Sequence, residues 1–292
     1  MGDEYLLLVN PSAGGGRAAR LLPRVERALA AAGVPYRLVC TDSLDHGAAE
    51  ACAAAEAGVT PIVMSGDGLV GRIGGALAGA EVPLAVIPGG RGNDFARSVG
   101  IPSTPERAVQ LIAEGTIRSI DVGEANGRHF LCVASCGFDS DTNRIANEAK
   151  LIRGAPVYFY ASLRTLATWK PARFTVAVDG DTRAIPGYSV AVANSPSYGG
   201  GMQIAPNAEL DDGLLEVVWI GEMAKLRALR SMPKVYTGTH LDEPAIGLTR
   251  GREVRLEADR PFAVYADGEH LTDLPATIRL RPRALNIIAP PG

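Results

Sequence analysis

One segment constrains this chain more than any other. Residues 62–69 place a short apolar run directly before a turn of small residues that holds a single carboxylate, Asp67. The run predicts a buried strand, and the glycines of the turn predict a tight loop. A helix over 71–79 is predicted next, and its spacing of small residues indicates close packing against a neighbour: Gly71, Gly74 and Gly75. Such turns offer backbone N–H groups to phosphate, although plain βα corners share the composition.

Strands and helices alternate through the first third of the chain. The pattern predicts strands at 5–9, 36–40, 62–64 and 84–87, and helices at 17–32, 45–57, 71–79 and 105–114. This alternation is typical of a doubly wound parallel sheet with helices on both faces. Because ligands in such sheets bind beyond the carboxyl ends of the strands, four loops are expected to meet at one edge: 10–16, 41–42, 65–71 and 88–94.

After residue 124 the pattern changes to a succession of strands. Apolar runs predict strands at 130–134, 174–178, 188–193, 214–220, 253–258, 262–266 and 277–280. Val254 and Leu256 alternate with charged residues, which is typical of a strand with one buried face. We therefore predict an α/β + β fold class, with a parallel α/β domain over 1–124 and an antiparallel β-sandwich domain over 125–283.

Composition and charge argue against several classes of protein. The net charge is −3 and aromatic residues make up 5%, which argues against a nucleic-acid binder with a large basic footprint. The chain enters its first strand directly, and no apolar run approaches the ~18 residues that a membrane-spanning helix needs. We predict a cytoplasmic protein that binds no nucleic acid and can touch a membrane surface.

Five short motifs follow one another along nearly the whole chain. They are SGDGL at 65–69, PGGRGNDFAR at 88–97, GFD at 137–139, DDGLL at 211–215 and DGE at 267–269. In this set and order the chain resembles the bacterial diacylglycerol kinase-like lipid kinases, whose members include sphingosine-type kinases. The resemblance implies an NAD kinase-like nucleotide-binding domain, to which about 284–292 return, and a β-sandwich domain for a lipid substrate.

The resemblance also implies an ATP site along the four loops. The chain has no GxxxxGK[ST] sequence, so this site is not a P-loop. Leu69 and Arg91 stand where threonine is usual in the family, and Arg91 offers phosphate a charged contact. Gly71 and Arg72 replace the usual Asn and Glu. The implied nucleotide-binding residues are Asn10, Pro11, Ser12, Ala13, Gly14, Thr41, Ser65, Gly66, Asp67, Gly68, Leu69, Gly71, Arg72, Arg91, Gly92, Asn93 and Asp94.

Phosphoryl transfer also needs Mg²⁺, which prefers oxygen ligands. Carboxylates are therefore the candidate ligands: Asp67, Asp94, Asp121, Asp211, Asp212, Asp267 and Glu269. By resemblance, Glu209, Asp212 and the carbonyl of Leu214 hold a metal in the second domain. A surface turn before the strand at 214–220 is the alternative interpretation.

The third requirement is a group that accepts the proton of the substrate hydroxyl. The DGE motif is predicted to interrupt a hairpin of strands 262–266 and 276–280, where a polar turn is the alternative interpretation. By resemblance we predict that Glu269 is the proton acceptor, with Asp267 and Asp67 as rivals. This requires Asp67 and Glu269, which are far apart in sequence, to face one gap.

Taken together, the motifs imply an ATP- and Mg²⁺-dependent kinase that phosphorylates diacylglycerol to phosphatidic acid. The lipid head group is expected between the domains and its tails in an apolar cleft of the second. Peripheral contact with the inner face of the membrane is implied, and relatives suggest a homodimer. A sphingosine-type or other lipid kinase, an NAD kinase-like enzyme and a nucleotide-binding protein without catalysis are the alternatives.

Two further segments are open to two interpretations. The glycine-rich loop over 194–201 is expected either beside the cleft or as a simple linker. The amphipathic helix predicted over 151–169 is either a packed helix with a solvated face or a contact surface for anionic lipid.

Overall fold

The computed structural model describes residues 5–138, 140–142, 145, 164–166 and 168–291, and the chain begins with a parallel sheet. Its strands are β1 (Tyr5–Val9), β2 (Tyr36–Cys40), β3 (Thr60–Ser65) and β4 (Ala85–Pro88). They lie in the order β2-β1-β3-β4, and every pair is parallel. The predicted parallel α/β sheet is confirmed.

Five helices accompany this sheet. They are α1 (Ala13–Ala31), α2 (Leu44–Glu56), α3 (Asp67–Ala76), α4 (Asp94–Ser98) and α5 (Pro105–Glu114). Helix α1 packs beside α5 on one face and α2 packs beside α3 on the other. A buried cluster between the sheet and these helices forms the first core, with Leu7, Ile62 and Leu84 fully buried.

The antiparallel part begins with β5 (Thr116–Ala125), β6 (Arg128–Phe130) and β7 (Val133–Gly137). It continues with the strands β8 (Ala172–Val178), β9 (Asp181–Ala193), β10 (Leu215–Gly221), β11 (Ile246–Gly251), β12 (Glu253–Ala258), β13 (Ala263–Ala266), β14 (Glu269–Asp273) and β15 (Ala276–Ala289). The main path is β14-β13-β7-β9-β8-β12-β15-β5-β6, and β10 joins β9 to β11. The sheet curves into a nearly closed, barrel-like sandwich around a second apolar core. The predicted antiparallel β domain is confirmed.

A short helical segment separates β10 from β11. It consists of α6 (Lys225–Ser231) and two 3-10 helices, Met232–Thr237 and Thr239–Asp242. Within the described part of the chain, no helix combines the length and the apolar character that crossing a bilayer requires.

Two predicted element boundaries are wrong for physical reasons. Helix α3 begins at Asp67, four residues before the predicted start, because the glycine turn is itself the first helical turn, with Gly66 as N-cap. The strand predicted over 130–134 is two strands, β6 and β7. The chain breaks between them because the N–H groups of Leu131 and Cys132 donate to the Asp267 carboxylate.

The predicted hairpin of 262–266 with 276–280 is also wrong. Strand β13 pairs instead with β14, and Asp267-Gly268 is the two-residue turn between Ala266 and Glu269. Both turn residues have positive φ, 52° and 89°, as tight hairpins of twisted strands require. Sequence reasoning missed β14 because its exposed polar residues hide the strand pattern.

The last strand, β15, joins the two parts of the molecule. It pairs with β12 and β5, shifts register between Arg281 and Leu285, and reaches the first sheet through a parallel bridge from Ile287 to Leu84. The domain boundary predicted at 124/125 stays a prediction. Asp139 of the GFD motif and most of the helix predicted over 151–169 lie outside the described residues.

Asp121, in the middle of β5, links this strand to β15 and to the turn before β10. It is 1% exposed. Its Oδ1 accepts the amide of Arg283 at 2.7 Å, and its Oδ2 accepts the amide of Gly213 at 2.8 Å. Its own amide donates to Leu210 O at 2.6 Å. Both carboxylate oxygens therefore hold backbone, so Asp121, a candidate Mg²⁺ ligand in the sequence, has a structural position.

We predict that Asp121→Ala lowers the free energy of unfolding by about 2–4 kcal/mol, because two partly buried amides lose their buried acceptor. Asp181→Ala is the control, since the side chain of Asp181 is 71% exposed and its pair with Arg183 is worth less than about 1 kcal/mol. Urea unfolding monitored by tryptophan fluorescence measures both. Equal losses in the two variants would contradict the assigned role of Asp121.

Candidate active site

The four loops that follow β1 to β4 meet at one edge of the parallel sheet. The amides of Gly89 and Gly90 donate to Ser65 O at 2.8 and 3.1 Å, which ties the loop after β4 to the end of β3. The amide of Thr41 donates to Val9 O at 2.8 Å and so ties β2 to β1. The edge expected from the strand–helix alternation is therefore formed.

Glycines let the loops approach each other closely. A Cβ at Gly14 would lie 2.8 Å from the carbonyl oxygen of Gly89, and one at Gly66 would lie 3.2 Å from the Cα of Gly90. Asn93 closes the loop after β4 with φ 51°, accepting the amide of Gly90 at 2.9 Å through Oδ1. These contacts leave the backbone at the loop edge open to a phosphate.

The loop after β1 is shaped by its own polar residues. Asn10 Oδ1 accepts the Ser12 amide at 3.0 Å and the Ser12 hydroxyl at 2.7 Å. Pro11 is exposed beside them, and α1 starts at Ala13. Three successive residues then adopt left-handed φ values of 62°, 69° and 83°, a conformation that favours glycine: Gly14, Gly15 and Gly16.

Three arginines surround this glycine run. Arg91 Nη2 lies 3.0 Å from the position of a Cβ at Gly15. Arg17 Nη1 donates to Gly90 O at 3.1 Å, and Arg20 Nη1 approaches Gly15 O at 3.5 Å. Sequence reasoning named Arg91 but missed Arg17 and Arg20. Their spacing of three residues directly after the glycines was the available signal, since it places both on one helical face.

Asp67 and Asp94 form a carboxylate pair below the loops. A Cβ at Gly92 would lie 2.8 Å from Asp67 Oδ2 and 3.0 Å from Asp94 Oδ2. Asp67 Oδ1 accepts the amide of Phe95 at 3.1 Å and so caps the start of α4. Burial, reinforced by the charge of Asp94, raises the pKa of Asp67, while the amides at the start of α4 oppose that rise.

Asp94 is held by a guanidinium and by a backbone amide. Its Oδ1 pairs with Arg97 Nη1 at 2.5 Å, and its Oδ2 accepts the amide of Gly200 at 2.6 Å. The glycine-rich loop over 194–201 therefore lies beside the cleft, as one of its two interpretations expected. Arg97 is part of the PGGRGNDFAR motif and was identifiable from it.

Asp267 joins the antiparallel sheet to α3. Its Oδ2 accepts the amide of Leu131 at 2.7 Å, and its Oδ1 accepts that of Cys132 at 2.9 Å. A Cβ at Gly71 of α3 would lie 2.6 Å from Asp267 Oδ2, so glycine is the residue that admits this carboxylate. Burial raises the pKa of Asp267 to about 6, against the lowering effect of the two amides.

Glu269 lies over the first turn of α3. Its Oε1 is 3.0 Å from the position of a Cβ at Gly68, the residue that follows Asp67. The residue is exposed at the surface of the cleft, although partial burial of its carboxylate raises its pKa. Two acidic residues far apart in sequence thus reach the same helical turn, and that their carboxylates face one gap stays a prediction.

Three predicted nucleotide-binding residues turn their side chains elsewhere. Leu69 is 2% exposed and packs toward α2, where a Cβ at Gly47 would lie 2.7 Å from its Cδ1. The Arg72 guanidinium pairs with Asp45 at 2.8 Å. The hydroxyl of Thr41 donates to Val9 O at 3.3 Å. Any contact of Leu69 or Thr41 with a nucleotide would therefore involve the backbone.

The residues predicted for a second-domain metal form no acidic cluster. Asp212 Oδ1 accepts the amide of Leu214 at 2.9 Å, and its Oδ2 pairs with Arg250. Glu209 is exposed, and within the described residues no three His, Cys, Asp or Glu side chains are grouped to hold a metal ion. Arg250 occupies one carboxylate oxygen of Asp212, and the metal site implied by the resemblance stays a prediction. Asp211 is likewise engaged, by Arg118 at 2.8 Å.

We predict that Gly71→Ala lowers the free energy of unfolding by about 1–3 kcal/mol, because the new methyl group meets a carboxylate that two amides hold in place. The measurement is urea unfolding. Gly68→Ala is the matched control in the same helix, since the nearest atom to its methyl is the flexible end of Glu269. There the helix propensity of alanine is expected to leave stability equal or up to about 1 kcal/mol higher. A stabilised Gly71→Ala variant would contradict the packing described.

Comparison with known proteins agrees with this arrangement. Residues 4–125 match the diacylglycerol kinase catalytic domain, and residues 132–289 match the YegS C-terminal NAD kinase beta sandwich-like domain. A diacylglycerol kinase of Mycobacterium tuberculosis is 35% identical over 97% of this chain and 94% of its own length.

Two other matches extend over the same length. A "Probable lipid kinase YegS-like" of Chromohalobacter salexigens is 28% identical over 100% of this chain and 94% of its own. A crystal structure of a diacylglycerol kinase from Bacillus anthracis superimposes with a TM-score of 0.76 at 25% identity, covering 99% of this chain and 97% of that one. The resemblance found in the five motifs is confirmed, and the chain belongs to the diacylglycerol kinase family of lipid kinases.

Proposed function

We propose that this protein transfers the γ-phosphoryl group of ATP to the hydroxyl of diacylglycerol and so forms phosphatidic acid. One observation carries the proposal. Asp67 is the first residue of α3, at the carboxyl edge of the parallel sheet, and Glu269 of the antiparallel sheet lies against the next residue of that helix, Gly68. A carboxylate that can accept a proton therefore stands beside loops that can hold a triphosphate.

The proposed ATP site is the edge formed by the four loops. Backbone N–H groups of the glycine turns and the guanidinium of Arg91 would contact the phosphates, and Arg17 and Arg20 add positive charge nearby. The other nucleotide-binding residues implied by the motifs remain part of this proposal. Leu69 and Thr41 would contribute backbone rather than side-chain atoms.

Magnesium is proposed as the companion of ATP. The donor set fits, because Asp67 Oδ2 and Asp94 Oδ2 converge on Gly92 and carboxylate oxygens are the ligands that Mg²⁺ prefers. When bound, the ion would neutralise charge on the transferring phosphoryl group. The role of the two aspartates is to present these oxygens, and Arg97 holds Asp94 in that position.

Glu269 is proposed as the group that accepts the proton of the lipid hydroxyl. It is exposed to the cleft, and its raised pKa brings its basicity closer to the working pH. Asp267 differs, because both of its carboxylate oxygens accept backbone amides. Its proposed role is to position the turn that carries Glu269, and it remains a rival base along with Asp67.

The lipid and its surroundings belong to the same proposal. The head group would lie between the two sheets near Asp67 and Glu269, and the tails would follow apolar surface of the antiparallel part. Relatives named diacylglycerol kinase and YegS-like lipid kinase support a lipid alcohol as substrate. Peripheral contact with the inner face of the membrane, a cytoplasmic location and a homodimer stay predictions.

Transfer of label from γ-labelled ATP tests the function. The purified protein is incubated with Mg²⁺ and, separately, with diacylglycerol, sphingosine and NAD. We expect labelled phosphatidic acid. Labelled sphingosine would assign another lipid substrate and labelled NAD an NAD kinase-like activity. Binding of ATP without transfer to any of the three would favour a protein that has lost catalysis.

We predict that Glu269→Gln lowers turnover about 10²–10⁴-fold while ATP affinity is unchanged, because the amide cannot accept the proton. Initial rates and equilibrium ATP binding measure the two effects. Glu257→Gln, on the exposed side of β12, is the control and is expected to behave as wild type. Retained turnover in Glu269→Gln, with turnover lost in Asp267→Asn or Asp67→Asn, would transfer the role of base to a rival.

We also predict a pH dependence of stability that originates at Asp267. Its pKa is about 6 in the folded protein against an ordinary value of 3.8, so the folded state binds the proton more tightly than the unfolded chain. The contribution of the protonated Asp267 carboxyl to the free energy of unfolding is complete below pH 3.8. It is lost as the pH rises to about 6, a change of about 3 kcal/mol. The raised pKa values of Asp67 and Glu269 act in the same direction.

Urea unfolding at several pH values between 3.8 and 6 provides the measurement. Comparison with Asp267→Asn isolates this residue from other carboxyl groups. The free energy of unfolding of wild type is expected to fall relative to that of the variant as the pH rises through this interval. Parallel pH profiles would show that the Asp267 pKa is not raised.

A further inference from the structure

The segment between β10 and β11 exposes several basic residues. The protein carries a net charge of −3, and this segment has three acidic residues near its ends (Glu222, Asp242 and Glu243) and four basic residues between them: Lys225, Arg227, Arg230 and Lys234. This segment comprises α6 and the two 3-10 helices. All four basic residues are exposed, and exposed cations on a protein of net negative charge favour an anionic partner.

Helix α6 is amphipathic in its packing. Ala228 and Leu229, with Met232 just beyond the helix, pack against the second apolar core. Leu226 and Arg230 lie four residues apart and therefore share the opposite, outer face. Leu226 is 59% exposed, and Tyr236 in the first 3-10 helix is 57% exposed. Large apolar groups and positive charge are thus both exposed on this one segment.

Glu243 fixes the shape of this segment. It is 9% exposed and accepts Arg227 Nε at 2.9 Å and Lys234 Nζ at 2.6 Å, so it ties α6 to the 3-10 helices. These two cations hold the pKa of Glu243 well below its usual range, at about 2. Within the described part of the chain, Arg230 has no hydrogen-bond or ion-pair partner, and it remains available to an external anion.

The segment is connected to the candidate active site by one loop. The amide of Gln203 donates to Val235 O at 2.8 Å, and a Cβ at Gly238 would lie 2.7 Å from Cγ of Pro206. The same loop contacts the site through the amide of Gly200, which donates to Asp94 Oδ2 at 2.6 Å. The exposed apolar groups therefore belong to the region next to the cleft.

We propose that Lys225, Leu226, Arg230 and Tyr236 form a docking surface for an anionic lipid bilayer. Leu226 and Tyr236 would enter the interface between head groups and acyl chains, and Arg230 and Lys225 would contact anionic head groups. The proposal rests on the proposed lipid substrate, because a kinase that phosphorylates a membrane lipid must reach the bilayer surface.

The combination of groups favours a bilayer over a protein partner. Tyr236 has an apolar ring and a polar hydroxyl, which suits the boundary between water and hydrocarbon. Basic residues near an anionic surface each gain about 1 kcal/mol, or about fivefold in affinity, and this gain falls with added salt. The rigid support from the apolar core and Glu243 means that docking needs no refolding of the segment.

Sedimentation with vesicles tests the docking surface. Phosphatidylcholine vesicles with and without phosphatidylglycerol are mixed with wild type, Arg230→Glu and the double variant Leu226→Ser/Tyr236→Ser. We expect binding to the anionic vesicles that decreases with salt, and a loss of at least about fivefold in each variant. Ile117→Ser is the matched control, since Ile117 is 64% exposed but lies on β5, outside this segment. It is expected to bind as wild type.

A second measurement separates docking from chemistry. Phosphorylation of a short-chain, water-dispersed diacylglycerol without vesicles is expected to be equal in wild type and the docking variants. If wild type phosphorylates this substrate but binds no vesicles, the docking surface is wrong and the proposed function stands. If neither wild type nor the docking variants phosphorylate the short-chain substrate, while vesicle binding follows the pattern above, the proposed function fails and the docking surface stands.

Two further outcomes would overturn the proposal. Vesicle binding of Arg230→Glu and Leu226→Ser/Tyr236→Ser equal to that of wild type would place membrane contact elsewhere. A wild-type dimer that dissociates in the double variant, measured by light scattering without vesicles, would identify this face as a contact between copies of the chain. Thermal unfolding of each variant checks that the exposed substitutions leave the fold intact.

Discussion

The hydrogen bonds from Leu131 and Cys132 to the Asp267 carboxylate are the interaction on which the active-site geometry depends. They stop β6 and start β7, they fix the tight turn after β13, and they hold Asp267 against Gly71 of α3. A helix of the parallel sheet and a hairpin of the antiparallel sheet are thereby brought into contact. Glu269 lies beside this contact, over Gly68 of α3.

This arrangement has an energetic cost. The pKa values of Asp67, Asp267 and Glu269 are all raised because burial disfavours their charged forms. Amides at the start of α4 and at the β6–β7 break offset part of that cost for Asp67 and Asp267. Grouped carboxylates with perturbed pKa values are typical of functional sites. Selection for stability alone would not favour them, because burying their charge has a cost.

Absent side chains matter as much as charged ones. Along α3, Gly71 meets Asp267, Gly74 meets Leu131 and Gly75 meets His129, each at a distance that a methyl group would make too short. The close packing of this helix, predicted from its glycine spacing, is therefore confirmed. The same device recurs where Gly14 meets Gly89, and it lets the loops after β1 and β4 share one edge.

The sequence by itself determined the fold class, the four loops at the sheet edge and the family. The hydrophobic period and the motifs can be read from the chain without knowing which distant residues contact each other. It did not reveal β14, the β6–β7 break or the true partner of β13, since these depend on where the Asp267 carboxylate lies. Nor did it show that Arg250 pairs with Asp212, that Leu69 faces α2, or that Arg17 reaches Gly90. Such pairings join residues distant in sequence, and only tertiary packing decides which distant groups satisfy one another.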